Sequence, residues 1–277
     1  MELLGGRIAM RNLARAVRKT EGAGEPVPLP FRSWAESGIG FWRADLAMIA
    51  GPPGIGKSTV ALTVGVHSGL PTLYFSADSS LATQSARVVS MLTSIPLASI
   101  KKRIDEEGDT FWEEQWVKDA LARGSHISWN FDSQPTLNTI DDEVKTFTMV
   151  RGEAPSLIVI DNATDVAFEQ GDEFGSLREL MRQLKYTARE LNAAVVVLHH
   201  TSESVPADPS PPLSALHGKI SQVPSVVITL GSPQPGTLAA CAVKNRNGPM
   251  DRWGRNAIWM QYNPDVMRVA DAEGWSS

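Results

Sequence analysis

Residues Gly51-Pro52-Pro53-Gly54-Ile55-Gly56-Lys57-Ser58 combine small-residue turns, a cation and a hydroxyl in the spacing G-x-x-x-x-G-K-S/T. A triphosphate is gripped by inward-pointing backbone N–H groups, a helix N-terminus behind them and a cation at its far end. Gly51, Gly54 and Gly56 let the backbone wrap the phosphates, Lys57 reaches the β and γ oxygens, Ser58 can hold Mg²⁺, and Thr59 opens the helix that follows. A plain turn between two elements would leave Lys57 and Ser58 unexplained. The pattern predicts ATP as the ligand, with Mg²⁺ as its companion ion.

Further residues fit the same chemistry. Asp161 closes the apolar run Leu157-Ile158-Val159-Ile160, where a carboxylate can meet Mg²⁺; the competing reading is a cap on the turn at Asn162-Ala163. Asp78 lies just past Leu73-Tyr74-Phe75-Ser76, beside the phosphate-loop strand if the strand order is that of related ATPases. There it can orient an attacking water as a general base, or else cap the next helix. His200 ends the run Val196-Val197-Leu198-His199 and is placed to sense the γ-phosphate. Its neighbour His199 points to the opposite face of a strand, so the pair is poorly arranged to share a metal ion. Lys244 and Arg246, in Lys244-Asn245-Arg246-Asn247-Gly248-Pro249, share one side of an extended segment and can reach one phosphate together; a basic hairpin tip in solvent is the alternative.

The elements that would position these groups alternate. Strands are expected at 46–50, 72–76, 127–131, 157–160, 194–198, 225–230, 239–243 and 257–260. Helices are expected after the phosphate loop to about 66, at 82–93, 111–123, 137–150 and 174–191, with a charged stretch at 101–108 and a start for the fourth near Asn138 or Thr139. The fold class is therefore α/β: a mostly parallel twisted sheet flanked by helices, with a late antiparallel part. Residues 1–30 read as a basic amphipathic helix (7–19, with Arg7, Arg11, Arg15 and Arg18 on one side) and a Gly/Pro linker; residues 31–277 read as the ATPase domain.

Composition bounds the setting. The 277 residues carry a net charge of −5, which argues against a DNA-coating protein yet leaves room for DNA in a narrow channel. No apolar stretch reaches membrane-spanning length and the N-terminus lacks the order of a secretory signal, so a cytoplasmic protein is expected. The single cysteine, Cys241, sits in an apolar run as a core residue, and most of the eight tryptophans are expected to be packing residues.

Taken in order, Gly51–Ser58, Phe75–Asp78, Leu157–Asp161, Val196–His200, Leu213–Ser221 and Lys244–Pro249 resemble the RecA-like ATPase domain of the replicative helicase family typified by bacterial DnaB, over roughly residues 35–265. The resemblance implies a Mg²⁺-dependent ATPase and DNA helicase or translocase acting on single-stranded DNA in replication. It also implies a homo-oligomeric ring, a hexamer, with no membrane partner. It implies that Lys57 and Ser58 hold ATP and Mg²⁺, that Asp161 is the acidic metal residue, and that Asp78 and His200 stand where the family has glutamate and glutamine. Arg246, with Lys244 beside it, would reach the ATP of the next subunit, and the loop Leu216–Gln222 would touch DNA through Gly218 and Lys219. No separate N-terminal domain of the family's usual size is expected ahead of the ATPase core. The substituted Asp78 and His200 keep a second reading open, a recombination mediator or annealing ATPase without unwinding, and a regulatory ATPase with no DNA partner is a third.

Overall fold

The computed structural model describes residues 24–167, 173–202, 204–205, 207–216 and 220–272; the basic segment 7–19 and the pair Gly218 and Lys219 lie outside them. The strands are β1 (Asp45–Gly51), β2 (Thr72–Ser76), β3 (Ile127–Asn130), β4 (Leu157–Asp161), β5 (Ala194–His200), β6 (Val226–Gly231), β7 (Thr237–Asn245), β8 (Ile258–Asn263) and β9 (Arg268–Asp271). They form one nine-stranded sheet in the order β3-β2-β4-β5-β1-β6-β7-β8-β9. Pairing is parallel from β3 through β6 and antiparallel from β6 to β9. The expected fold class is the one observed.

The central strands are apolar at nearly every position because both faces are covered. Ala47 and Ile49 of β1 join the core under α2 (Lys57–Ser68), whereas Leu46, Met48 and Ala50 join the core under α7 (Leu137–Arg151) and α8 (Glu173–Leu191). A third cluster, Ala86, Val89, Ile100, Phe111, Val117 and Ala120, ties α3 (Leu81–Thr93) to α4 (Leu97–Glu107), α5 (Asp109–Glu113) and α6 (Gln115–Ala122). The first helix, α1 (Arg32–Glu36), buries Trp34 completely.

Several expectations shift. The charged stretch at 101–108 is mostly helix: Ile100 is buried, and Arg103 bonds Glu107 at 2.7 Å and also pairs with Glu114. The single helix expected at 111–123 is two, broken where Glu114 turns extended (ψ 135°). Helix α7 starts at Leu137 as expected, and its cap is Thr136: the Thr136 hydroxyl accepts from the Thr139 N–H at 3.1 Å while the Thr139 hydroxyl accepts from the Thr136 N–H at 3.2 Å. Part of the expected linker is packed, since the Val27 N–H donates to the Phe41 carbonyl at 2.8 Å and Val27 is buried. Strand β9 was not anticipated; with two charged residues in four it resembles a solvated loop, and it forms as the sheet edge. Trp34, Trp42, Trp112, Trp116 and Trp129 pack on the core as expected, while Trp253 and Trp259 are exposed.

Cys241 lies in β7, 1% exposed, its thiol facing the carbonyls of Asp251 and Asn256, and burial pushes its pKa up to about 11. At pH 8 iodoacetamide should therefore label the native protein at least about 100-fold more slowly than the denatured chain. Mass measurement after timed quenching checks this, and equal rates would show that β7 opens readily.

Candidate functional site

The phosphate loop is built by an abrupt change of direction. Strand β1 ends at Gly51, where a Cβ would lie 2.9 Å from the Leu230 carbonyl oxygen, so the neighbouring strand leaves room for glycine alone. Gly56 caps α2 in the left-handed region (φ 103°) and places no side chain over the N–H groups of the first turn. Those donors mark the positive end of α2, where the helix meets the loop.

Lys57 is folded back on its own loop. Its Nζ donates to the Gly51 carbonyl at 3.0 Å and the Pro52 carbonyl at 2.9 Å, and lies 3.2 Å from Nδ1 of His200. Burial lowers its pKa to about 8, against the pull of Asp161 and Asp78. Burial, then the Lys57 charge, also hold the His200 pKa below its ordinary value, so the imidazole is neutral and accepts from the ammonium at Nδ1.

Asp161 sits at the carboxyl end of β4 and is buried. Ser58 Oγ donates to its Oδ1 at 3.2 Å and Tyr74 Oη donates to its Oδ2 at 3.0 Å. Burial raises its pKa, and these two hydrogen bonds oppose the rise. The turn that follows is capped by Asn162, whose Oδ1 accepts from the Thr164 N–H at 2.9 Å, so capping is not the work of Asp161. Neither does Asp78 cap its helix, because Ser80 caps α3. The expectation that Asp78 lies beside the phosphate-loop strand is corrected: β4 and β5 stand between β2 and β1. Asp78 still reaches the site, because the Ala77 N–H bonds the Asp161 carbonyl at 3.1 Å and Asp78 Oδ2 accepts from Asn162 Nδ2 at 3.3 Å.

A cavity of about 280 Å³ gathers Gly54, Gly56, Lys57, Ser58, Thr59, Asp78, Asp161 and His200. A larger one, about 540 Å³, lies at the far end of α2 around His67, Arg123 and Arg268 and contains none of these groups. The smaller cavity also holds Arg87, Asn162, Tyr262 and Met267, which sequence reasoning missed. Tyr262 presses on the loop: a Cβ on Gly56 would lie 3.0 Å from its ring. Only Tyr74 carried a signal, since a tyrosine inside a buried strand must place its hydroxyl on a partner. The hydroxyl of Ser58 and the carboxylate of Asp161 are hard oxygen donors within 3.2 Å of each other, a set that fits Mg²⁺.

Lys244 and Arg246 are elsewhere. The end of β7 pairs with the start of β6 (Val226 with Asn245), and β6 runs parallel to β1, so these cations sit at the opposite end of the sheet from the loop. Lys244 Nζ donates to the carbonyls of Ser221 (2.6 Å) and Gln222 (2.9 Å), and the exposed Arg246 reaches Gln222 at 3.4 Å. Burial, then Arg246 and Lys185, lower the Lys244 pKa to about 8. Asn245 pins the turn by donating to the Gly38 and Pro249 carbonyls at 2.9 and 3.1 Å. Leu216 and Ile220, on either side of positions 217–219, are buried.

This arrangement has relatives. The Gene 65 protein of Mycobacterium phage L5 is 33% identical over 260 residues, covering 90% of this chain and 94% of its own. The replicative DNA helicase DnaB of Leifsonia xyli subsp. xyli is 25% identical over 254 residues; the match takes in 84% of this chain and 54% of the helicase, so the chain spans about half its length. A solved structure described as the ATPase domain of G40P superposes with a TM-score of 0.79 at 18% identity, covering 94% of this chain and 96% of that one, which gives a shared RecA-like fold. The family model for the DnaB-like helicase C-terminal domain matches residues 27–269. With that model running from before β1 into β9, through the phosphate loop and the turn after β7, the chain belongs to the DnaB-like helicase C-terminal domain family.

Proposed function

We propose that this chain is a Mg²⁺-dependent ATPase that assembles into a homo-oligomeric ring, a hexamer, and translocates on single-stranded DNA in replication, unwinding duplex ahead of it in the cytoplasm. One observation supports the reading above all. Lys57, Ser58, Asp78, Asp161 and His200 line one cavity, whereas Lys244 and Arg246 stand at the opposite end of the same sheet. Cations so placed are out of reach of their own protomer's nucleotide and free to face another's.

In this reading the loop N–H groups and Lys57 bind the β and γ phosphates, and Ser58 and Asp161 hold Mg²⁺. The ion, when bound, neutralises phosphate charge. Asp78 accepts the proton of the attacking water, its carboxylate steadied by Asn162. His200, released from Lys57, becomes free to meet the γ-phosphate. Arg246 of the adjoining protomer, with Lys244, stabilises charge on the transferring phosphoryl group. Gly218 and Lys219 contact the DNA backbone. Residues 31–277 form the motor and residues 1–30 its basic arm.

The test is a forked DNA substrate with ATP. Strand displacement supports the motor. Turnover raised by single-stranded DNA without displacement would replace it with a binding ATPase, and turnover indifferent to DNA would remove both.

The Tyr262 ring and Met267 offer the apolar wall for the base. Tyr262→Ala should weaken ATP by about tenfold, one stacking contact's worth, and leave inorganic triphosphate within about twofold. Competition titrations of both ligands check this.

A further inference from the structure

We infer that Tyr74 is the positioning residue of the metal site, an inference that rests on the nucleotide reading above. Tyr74 sits in the middle of β2 and is 0% exposed. The two oxygens of Asp161 are held by two hydroxyls from different elements: Ser58 on Oδ1 at 3.2 Å, from α2, and Tyr74 on Oδ2 at 3.0 Å, from β2. Ser58 is itself a candidate metal ligand, so its bond must give way or rearrange when the ion arrives. The Tyr74 bond faces the other oxygen and has no such reason to break.

The ring is clamped. Trp129 lies against it, centroids 4.7 Å apart and tilted by 34°, and Phe131 stacks on Trp129 at 5.9 Å and 6°. The hydroxyl is therefore aimed by aromatic packing and not by a flexible stem. The clamp has a function because Asp161 alone would be mobile about its Cβ–Cγ bond, with the Lys57 ammonium nearby to attract it. A carboxylate that swung to Lys57 would close the site on itself. With Oδ2 tied to Tyr74, Oδ1 stays turned toward Ser58, and Lys57 donates to the Gly51 and Pro52 carbonyls. Outer partners of this kind typically matter 10- to 100-fold in metal affinity.

The test uses the full chain with a non-hydrolysable ATP analogue, titrating Mn²⁺ by electron paramagnetic resonance and measuring analogue binding separately in EDTA. Tyr74→Phe removes one oxygen. The expected result is Mn²⁺ affinity weakened by about tenfold or more, with metal-free analogue affinity within about twofold. Unchanged Mn²⁺ affinity would overturn the inference, and so would an equal loss in both titrations, which would mark a general packing defect. Trp129→Ala leaves the hydroxyl in place but frees the ring, and is expected to reproduce part of the Mn²⁺ loss; it carries the test if the phenylalanine variant is insoluble, and an unchanged affinity there would refute the clamp. A wild-type chain that bound no analogue at all would sink the nucleotide reading and this inference with it, an outcome distinct from an unaffected Tyr74→Phe.

Discussion

Arg246→Ala is expected to lower ATP turnover by about 10³-fold or more while leaving ATP affinity unchanged. The side chain is exposed, at the far end of the sheet from the phosphate loop, and among the described residues it makes a 3.4 Å bond to the Gln222 carbonyl. Its removal should cost the fold little. Lys57→Ala should be inactive for the opposite reason, because the protomer loses its grip on the phosphates but keeps its guanidinium. Mixed in equal parts, the two dead proteins should regain activity, since about a quarter of random junctions pair an intact loop with an intact arginine across a head-to-tail interface. Coupled-enzyme assays before and after mixing decide the matter. Full turnover by Arg246→Ala, or no recovery on mixing, would remove the proposed action across subunits.

Asp161→Asn should abolish metal-dependent turnover, by about 10²-fold or more, and at the same time raise the thermal midpoint of the ligand-free protein. Burial raises the carboxyl pKa above its unfolded value. A group shifted in that direction stabilises the fold fully below its unfolded pKa, and that contribution is lost as pH rises through the folded pKa. Ionisation of this side chain is thus a burden on the fold, one that the proposed metal ion would offset. An amide keeps both hydrogen bonds, accepting from Tyr74 and donating to Ser58, without the charge. In a domain of this size each kcal/mol recovered is worth on the order of 2–4 °C. Scanning calorimetry at pH 7 and near pH 4 checks the sign: the gain over wild type should shrink at the lower pH. A lower midpoint for the variant at pH 7 would show that the charge is well compensated.

The sequence displayed the phosphate loop fully because its chemistry is local: strand, glycines, lysine and serine are contiguous. The buried strands were equally plain, since a strand covered on both faces writes itself as an unbroken apolar run, as in Leu157–Ile160. Strand order was not legible. Nothing local says that β4 and β5 part β2 from β1, and the adjacency assumed for Asp78 failed on that point. Tyr262 was invisible for a related reason: it reaches Gly56 from the antiparallel end of the sheet, a contact that depends wholly on tertiary folding. Strand β9 escaped because an edge strand has one neighbour, and charged residues suit it. The periodic stretch divides into two helices at Glu114, whose side chain pairs with Arg103 eleven positions earlier, a partner the local pattern does not show.

The folded-back lysine has a kinetic corollary. Its ammonium is bonded to two carbonyls of its own loop and to His200, so a phosphate that binds Lys57 must displace those contacts before it can make its own. Association should then saturate with rising ATP concentration, limited by the unlatching of Lys57 and not by encounter. The same step uncovers the His200 nitrogen, so on the proposed reading phosphate binding and release of His200 are one event.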